Sequence, residues 1–330
     1  MSSNDTRPSN GGNPIKAGIL VVRLGAMGDI LHALPAAASL KHSFPTAPLT
    51  WVVESPWAPL LHQNSFVDRV ICVDRKHPRT WLKTLRELRE EHFLLATDFQ
   101  GLVKSALTAS LARPERIIGF SRKQARERIA AWFYSNPVSS AAIHAVDRNL
   151  DIAAAAGAGN LLRSFPLPAG GPEGELPDGP FVLTSPFAGW PSKQWPLEYF
   201  AQAARILRDK WGLTLVLNGP PSDREGLGQV SEAWVNTSGI AGLIHATRRA
   251  VAVIGVDSGP LHLAAALGKP GVAIYGPTDP ARHGPYGGTM TVLRSPQAVT
   301  TYKRRLTVDL SMREVSPEMV MGALASYLGN

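Results

Sequence analysis

An acidic side chain stands where the first predicted strand of the chain turns into a helix. Asp29 follows two glycines, Gly25 and Gly28, which allow the backbone to turn tightly. A carboxylate at such a strand end could take a proton from a substrate hydroxyl as a general base. It could equally cap the helix by accepting hydrogen bonds from the first helical amides, and position alone does not separate the two roles.

A lysine lies in a stiff loop after the first predicted strand of the second half. Lys193 is flanked by Trp190, Pro191, Trp195 and Pro196, whose rings restrict the loop. A lone lysine is usually a solvated side chain. Held in this loop, however, its ammonium could contact a diphosphate.

A further strand-to-helix turn carries the strongest motif, Val-Asp-Ser-Gly-Pro-Leu-His. It takes a buried strand through Asp257, Ser258 and Gly259 into a helix that contains His262. Free amides and the positive end of the helix dipole meet at such a turn, which favours a phosphate site. The alternative is that Asp257 caps the helix and His262 is a core residue.

A fourth motif, Asp-Phe-Gln-Gly-Leu-Val-Lys-Ser-Ala, also follows a predicted strand. Its Asp98, Gln100 and Lys104 could bind a polyhydroxylated acid, or they could cap a helix and solvate its face. Alone, this motif does not decide between a binding role and a structural one.

Two other kinds of site are less well supported. A strand, a glycine turn, a helix and then Glu54 resemble a dinucleotide-binding layout, but Gly25 and Gly28 lack the G-x-G-x-x-G spacing. An acid at that helix start would also repel a pyrophosphate. The chain has no D-x-D, H-E-x-x-H or C-x-x-C, so no metal site is expected.

The elements that position these motifs alternate between short apolar runs and longer amphipathic stretches. This alternation predicts α/β domains with buried parallel strands. The predicted strands are 19–24, 49–53, 70–73, 94–97, 181–184, 214–217, 251–256, 271–275 and 291–293. The predicted helices are 29–42, 79–91, 102–111, 196–210, 261–267 and 316–328.

Two domains are expected, because the proline- and glycine-rich stretch 166–180 interrupts the pattern. Ligands of such domains bind where strand ends face each other across a cleft. The expected division is a disordered tail 1–16, a first domain 17–165, the linker 166–180, a second domain 181–312 and a C-terminal helix region 313–330.

The charge of the chain is concentrated in its first half. The 330 residues carry a net charge of +8, of which residues 1–165 account for +7, with 20 Lys and Arg against 13 Asp and Glu. This asymmetry favours an anionic partner, whether nucleic acid, membrane surface or acidic small molecule. Nucleic acid is the least favoured, since no aromatic stacking platform accompanies the basic stretches. The single cysteine, Cys72, and the lack of a signal peptide predict a cytoplasmic protein.

Taken together, the motifs resemble the lipopolysaccharide heptosyltransferases of glycosyltransferase family 9. The most specific pieces are Met-Gly-Asp-Ile-Leu-His, Asp-Phe-Gln-Gly-Leu-Val-Lys-Ser-Ala, Lys-Gln-Trp-Pro, Asp-Ser-Gly-Pro-Leu-His and Tyr-Gly-Pro-Thr-Asp-Pro. The second of these is most like heptosyltransferase I. The resemblance implies a GT-B architecture, with an acceptor domain, a nucleotide-sugar domain and a final helix that packs back on the N-terminal domain.

The resemblance also implies an inverting, metal-independent transfer of heptose from ADP-L-glycero-D-manno-heptose to Kdo of Kdo-lipid A. Asp29 matches the catalytic base and Lys193 the diphosphate lysine. Asp257, Ser258, Gly259 and His262 match the donor loop. No cofactor is implied. Such an enzyme would work at the cytoplasmic face of the inner membrane, in peripheral contact with its inner leaflet.

The anionic acceptor would suit Gln100 and Lys104, together with the basic stretch that contains Arg122. One departure from the family pattern is that Phe187 and Ala188 stand where members often have two threonines. The alternatives left open are another nucleotide sugar, a heptosylated acceptor, an NAD-dependent oxidoreductase and a non-catalytic binder.

Overall fold

The computed structural model describes residues 17–74 and 78–329, so the tail expected at 1–16 lies outside the described residues. Two six-stranded sheets form the framework, and all of the strand pairs within them are parallel. The prediction of two Rossmann-like α/β domains is therefore confirmed.

Both sheets have the same strand order, β3-β2-β1-β4-β5-β6 in the first domain and β9-β8-β7-β10-β11-β12 in the second. In this doubly wound order the topological switch lies between the first and fourth strands of each domain, where ligands bind at the strand C-termini. The strands are β1 Gly18–Val22, β2 Leu49–Glu54, β3 Arg69–Val73, β4 Phe93–Asp98, β5 Arg116–Phe120, β6 Asn136–Val138, β7 Phe181–Thr184, β8 Thr214–Gly219, β9 Trp234–Thr237, β10 Ala252–Val256, β11 Gly271–Tyr275 and β12 Met290–Arg294.

Helices cover the faces of both sheets. They are α1 Met27–Ser43, α2 Pro78–Arg89, α3 Val103–Leu111, α4 Ala145–Ala155, α5 Leu197–Trp211, α6 Arg224–Leu227, α7 Ile240–Arg249, α8 Gly259–Ala266, α9 Pro280–His283, α10 Leu310–Arg313 and α11 Pro317–Leu328. Short 3₁₀ helices occupy Ser55–Leu60, Arg128–Phe133, Pro191–Lys193 and Pro221–Asp223. None of the helices in the described ranges has the length and apolar character that crossing a bilayer requires.

The two domains touch through the N-terminal ends of α1 and α8. Two glycines make this approach possible. A Cβ on Gly28 would lie 2.5 Å from Cδ2 of His262, and one on Gly259 would lie 2.8 Å from the side chain of Met27. Any larger residue would push the helix ends apart, so the glycines of both motifs bring the two strand-end regions together.

The linker contains neither helix nor strand, and it is anchored at both sides. The Asn64 side chain of the first domain donates to the Pro166 carbonyl at 2.7 Å. Arg248 of the second domain donates to the carbonyls of Leu167 and Pro168. The linker is therefore attached to the surfaces it connects.

The last helix packs differently from the implied arrangement. The resemblance placed it on the N-terminal domain, but α11 packs against α5, β10, β11 and β12 of the second domain. Its apolar residues Val320, Met321 and Leu324 are buried in the core of that domain. The segment before it is held there as well, because the Trp195 indole donates to the Val315 carbonyl at 2.8 Å.

Candidate active site

A cavity of about 1090 Å³ opens between the strand ends of the two domains. It brings together eight of the nine residues that were expected to act as catalytic, donor-binding or acceptor-binding residues, and only Arg122 lies outside. The eight residues span more than two hundred positions of the sequence, from Asp29 to His262. The first domain contributes Arg23, Asp29, His32, Gln100, Lys104, Lys123, Arg126 and Arg148. The second contributes Trp190, Lys193, Asp257, Ser258, Gly259, His262, Thr278, Arg282, His283, Tyr302 and Arg304.

The cavity carries an excess of positive charge. Among the residues that the structure describes, eight Lys and Arg side chains line it, against the three acids Asp29, Glu127 and Asp257. A cleft lined by one sign of charge concentrates ligands of the opposite sign. The positive charge expected from the sequence is therefore focused on a site suited to anionic ligands.

Asp29 lies in the first turn of α1, but it is not the helix cap, since that position belongs to Ala26. Its carboxylate accepts from the Ala26 amide at 3.3 Å and pairs with the Arg23 guanidinium at 2.7 Å. Burial by itself would raise the pKa of this carboxyl, but the charge of Arg23, aided by the Ala26 amide and Arg126, lowers it overall. The side chain is 32% exposed. Asp29 is thus a charged, reachable acceptor of protons.

Arg23 is fixed at the end of β1. Its guanidinium donates to the Phe99 carbonyl as well as to Asp29, and the side chain is 11% exposed. Its own carbonyl accepts from the Trp51 indole at 3.1 Å. A buried arginine held on both sides limits the positions open to the carboxylate beside it.

Lys193 and Asp257 form an ion pair with each other. The ammonium lies 2.6 Å from a carboxylate oxygen of Asp257 and 4.3 Å from the centre of the Trp190 ring. The Thr278 hydroxyl donates to the same carboxylate at 2.6 Å. Burial alone would raise the pKa of Asp257, but His262 and Lys193 together hold it well below its ordinary range. Asp257 therefore fixes the ammonium at the wall of the cavity.

The turn into α8 leaves a hydroxyl group available. Ser258, and not Asp257, is the cap residue of this helix, yet its side chain makes no capping hydrogen bond. Its Oγ is buried and has no hydrogen-bond partner among the described residues. Since a buried polar atom without a partner is costly, a ligand oxygen is a natural acceptor for it at this helix N-terminus.

Four histidines cluster where the domains meet. The His32 ring centre lies 4.5 Å from that of His262, 5.8 Å from that of His283 and 5.5 Å from that of His144. Burial lowers the pKa of His32 well below its ordinary value, lowers that of His144, and brings that of His283 to about 4. The rings of His32, His144 and His283 are therefore neutral at neutral pH. No group of His, Cys, Asp or Glu in the described part of the chain is arranged to hold a metal ion.

The residues expected to bind the acceptor separate into two groups. The Gln100 oxygen accepts from the Leu24 amide at 2.8 Å, and Lys104 lies 3.5 Å from Glu54. Both line the cavity. Arg122 does not, because its exposed guanidinium lies outside, 6.0 Å from the centre of the Trp132 ring.

Asp98 has a structural role. One of its oxygens accepts from the amides of Gln100 and Gly101, and the other from the Ser105 and Tyr134 hydroxyls. Burial raises the pKa of Asp98 in spite of these bonds. Its carboxylate shapes the loop that carries Gln100 and does not face the cavity.

Sequence reasoning missed several residues that the fold brings to the cavity. Arg23 directly follows β1 and precedes the glycine turn that leads to Asp29, and this place at a strand end was an available signal. Arg282 and His283 closely follow the Tyr-Gly-Pro-Thr-Asp-Pro motif, whereas Arg148 and Arg304 come from segments without a recognisable motif. These residues reach the cavity through the packing of the two domains, and that packing cannot be predicted from a local sequence pattern.

Comparison with known proteins identifies the family. The model of glycosyltransferase family 9 (heptosyltransferase) matches residues 81–309. Lipopolysaccharide heptosyltransferase 1 of Escherichia coli K12 is 30% identical over 310 residues, covering 84% of this chain and 94% of the relative. The protein of the same name from Pseudomonas aeruginosa is 29% identical over 303 residues, covering 84% and 83%.

A solved structure agrees with this assignment. The structure described as E. coli heptosyltransferase WaaC with ADP matches with a TM-score of 0.77 and 25% identity, over 94% of this chain and 99% of the other. The family contains glycosyltransferases, which argues against the nicotinamide alternative. The chain belongs to glycosyltransferase family 9, the heptosyltransferases, and is a glycosyltransferase.

Proposed function

We propose that this enzyme transfers a heptose from ADP-L-glycero-D-manno-heptose to a hydroxyl of Kdo in Kdo-lipid A, during synthesis of the lipopolysaccharide inner core. The observation that carries the proposal is the cavity, which places Asp29 of one domain opposite Lys193 and the α8 turn of the other. The names of the relatives support a role in lipopolysaccharide synthesis. The ADP in the WaaC structure supports ADP as the nucleotide of the donor.

Asp29 is the base in this proposal. As the acceptor oxygen forms its bond to the anomeric carbon, the hydroxyl proton passes to the Asp29 carboxylate and the bond from that carbon to the diphosphate oxygen breaks. Attack on the face opposite the leaving group inverts the anomeric centre. General-base assistance of this kind contributes about 10²- to 10⁴-fold. Arg23 keeps the carboxylate charged until the proton arrives.

Lys193 and the α8 turn act on the leaving group. Negative charge grows on the diphosphate as ADP departs, and the ammonium, the Ser258 hydroxyl and the helix N-terminus can stabilise it. Asp257 holds the lysine in place and Gly259 permits the close approach of the helix end. His262 connects this turn to the domain interface, since its ring lies 3.5 Å from Asp257 and beside His32.

The acceptor occupies the first-domain side in this proposal. Kdo carries a carboxylate and lipid A carries phosphates, which suit Lys104, Lys123 and Arg126 at the cavity wall. Gln100 would contribute its amide group to a sugar hydroxyl, while its oxygen remains bonded to Leu24. Arg122 lies farther out and would contact phosphates of the lipid only. A lipid-linked acceptor places the enzyme on the cytoplasmic face of the inner membrane, bound peripherally.

The direct test is to incubate the protein with ADP-heptose and Kdo-lipid A and to measure the mass of the lipid product. Addition of one heptose is expected, and a matched reaction with already heptosylated acceptor should give much less product. Preference for the heptosylated acceptor, or for another nucleotide sugar, would assign a different step. Full activity in excess EDTA is expected, and activity that EDTA abolishes and magnesium restores would contradict the metal-independent mechanism.

A further inference from the structure

An exposed apolar pair lies on the first domain just outside the cavity. Trp132 is 71% exposed and Ile129 is 52% exposed, both on the 3₁₀ helix Arg128–Phe133. Residues three apart eclipse each other in a 3₁₀ helix, so the two side chains stand together on its outer side. The intervening Ala130 is buried, and the helix packs against α3. The pair is therefore presented on a supported element.

Basic side chains accompany this pair. Arg122, Lys123, Arg126 and Arg128 are exposed, and Arg122 lies 6.0 Å from the Trp132 ring centre. The one acid between them, Glu127, accepts a hydrogen bond from the Val103 amide at 2.7 Å, at the start of α3. The apolar pair and these four cations are called the basic-apolar lip here.

We infer that the basic-apolar lip docks the enzyme onto a bilayer that contains anionic phospholipids. An aromatic and a branched aliphatic side chain beside Arg and Lys match an interface in which apolar groups enter the acyl boundary and cations meet headgroup phosphates. A site for a free phosphate would not need two exposed apolar side chains. The positive charge of the lip thus favours anionic headgroups over neutral ones, and the apolar pair favours a bilayer over a free phosphate.

The position of the lip connects docking with the reaction. Lys123 and Arg126 belong both to the lip and to the cavity wall, so a bilayer at the lip lies at the cavity mouth. This part of the inference rests on the proposed lipid-linked acceptor. Docking would let the sugar headgroup enter the cavity while its acyl chains remain in the bilayer.

The test measures co-sedimentation of the full chain with vesicles of phosphatidylglycerol and phosphatidylcholine, against vesicles of phosphatidylcholine alone. Wild-type protein should bind the mixed vesicles, and added salt should weaken binding. The double variant Ile129→Ala, Trp132→Ala should bind at least about tenfold more weakly. Arg128→Gln should bind about fivefold more weakly. Met319→Ala, at a 49% exposed methionine of α11, is the matched control and should bind as wild type.

Transfer to a water-soluble Kdo acceptor without acyl chains separates docking from catalysis. The double variant should keep wild-type activity on it, which also shows that the variant is folded. Unchanged vesicle binding by the double variant, or equal binding to both vesicle types, would overturn the inference. So would a change in oligomeric state by sedimentation velocity, because the lip would then join two copies. Lip-dependent vesicle binding without heptose transfer would uphold docking and reject the proposed function.

Discussion

Replacing Asp29 with Asn tests the central catalytic assignment with little structural disturbance. The amide has nearly the same shape as the carboxylate and keeps an oxygen for Arg23 and for the Ala26 amide. It cannot take a proton at neutral pH, so base assistance is lost. The expected decrease in turnover is about 10²- to 10⁴-fold, which corresponds to roughly 3–5 kcal/mol of transition-state stabilisation.

The decrease should appear in turnover and not in donor binding. Asp29 belongs to the first domain, whereas the ion pair and the α8 turn proposed to hold the diphosphate belong to the second. We therefore expect the dissociation constant for ADP, measured by calorimetry, to change by less than about threefold. Product formation would be followed by mass analysis of the lipid under saturating donor and acceptor.

A matched control distinguishes a base from a capping acid. Asp279 caps α9 by accepting from the Ala281 amide at 2.9 Å, and an asparagine can make the same bond. Asp279→Asn should therefore keep near wild-type turnover. Near wild-type turnover of Asp29→Asn would refute the reasoning, because a residue that only stabilises α1 tolerates the same change.

Three further predictions follow from contacts in the site. Lys193→Ala should raise the KM for the donor and slow transfer by about 10- to 100-fold. The control Lys210→Ala, at an α5 lysine beside Trp211, should leave both unchanged. Unaltered kinetics of Lys193→Ala at limiting donor would contradict the diphosphate role. Gly28→Ala should displace His262, whose ring a new Cβ would approach to 2.5 Å, and reduce turnover, while Gly322→Ala in α11, which meets nothing within 4 Å, should not. The pKa of His283 is 6.5 in the unfolded chain and about 4 in the folded protein. Between these pH values the unfolded chain therefore binds more protons than the folded protein. The free energy of unfolding should for this reason drop by about 2 kcal/mol from pH 7 to pH 5. Denaturant titrations at both pH values check this, and His283→Gln should remove most of that loss; an equal loss in the variant would assign it to other groups.

The strands and helices with marked apolar patterns were predictable from the sequence. Buried parallel strands such as β1 and β11 are continuous apolar runs, and each predicted strand and helix is present. The missed strands are the inner strand β5 and the edge strands β6 and β9, and these two edge strands have three and four residues and exposed positions. Edge strands bury only part of their surface, so they lack the run of apolar residues that identifies an inner strand.

The helices α4 and α7 were missed for a different reason. Their sequences mix small and polar residues, and much of what they bury lies against other helices and the domain boundary. α4 packs on α1, and α7 packs on α8 and the 3₁₀ helix Ser55–Leu60.

Within the candidate site, the residue types could be predicted and their pairings could not. Strand-end motifs selected Asp29, Lys193 and Asp257, since parallel α/β sheets gather such residues at one edge. The ion pair between Lys193 and Asp257 joins positions 64 residues apart and depends on how a loop folds over the second sheet. Arg122 shows that a suitable residue type does not by itself predict a place in the site. Its charge and its basic sequence neighbours suited an anionic acceptor, but the chain turns its side chain away from the cavity.

Some of the charged groups in the cavity are paired with opposite charges and others are not. This division suggests how the cavity could bind the two anionic substrates proposed above. The charges closest to the proposed chemistry are held by opposite partners, Asp29 by Arg23, Lys193 by Asp257 and Lys104 by Glu54. Such pairing fixes position, which catalysis requires. Three other cations at the cavity, Arg148, Arg282 and Arg304, lie over the aromatic rings of Phe120, Tyr302 and Trp190. An aromatic face orients a cation without cancelling its charge. In the proposed reaction these three cations, together with Lys123 and Arg126, would supply the net attraction for a diphosphate and an acidic sugar, while the paired groups would stay aligned for the transfer.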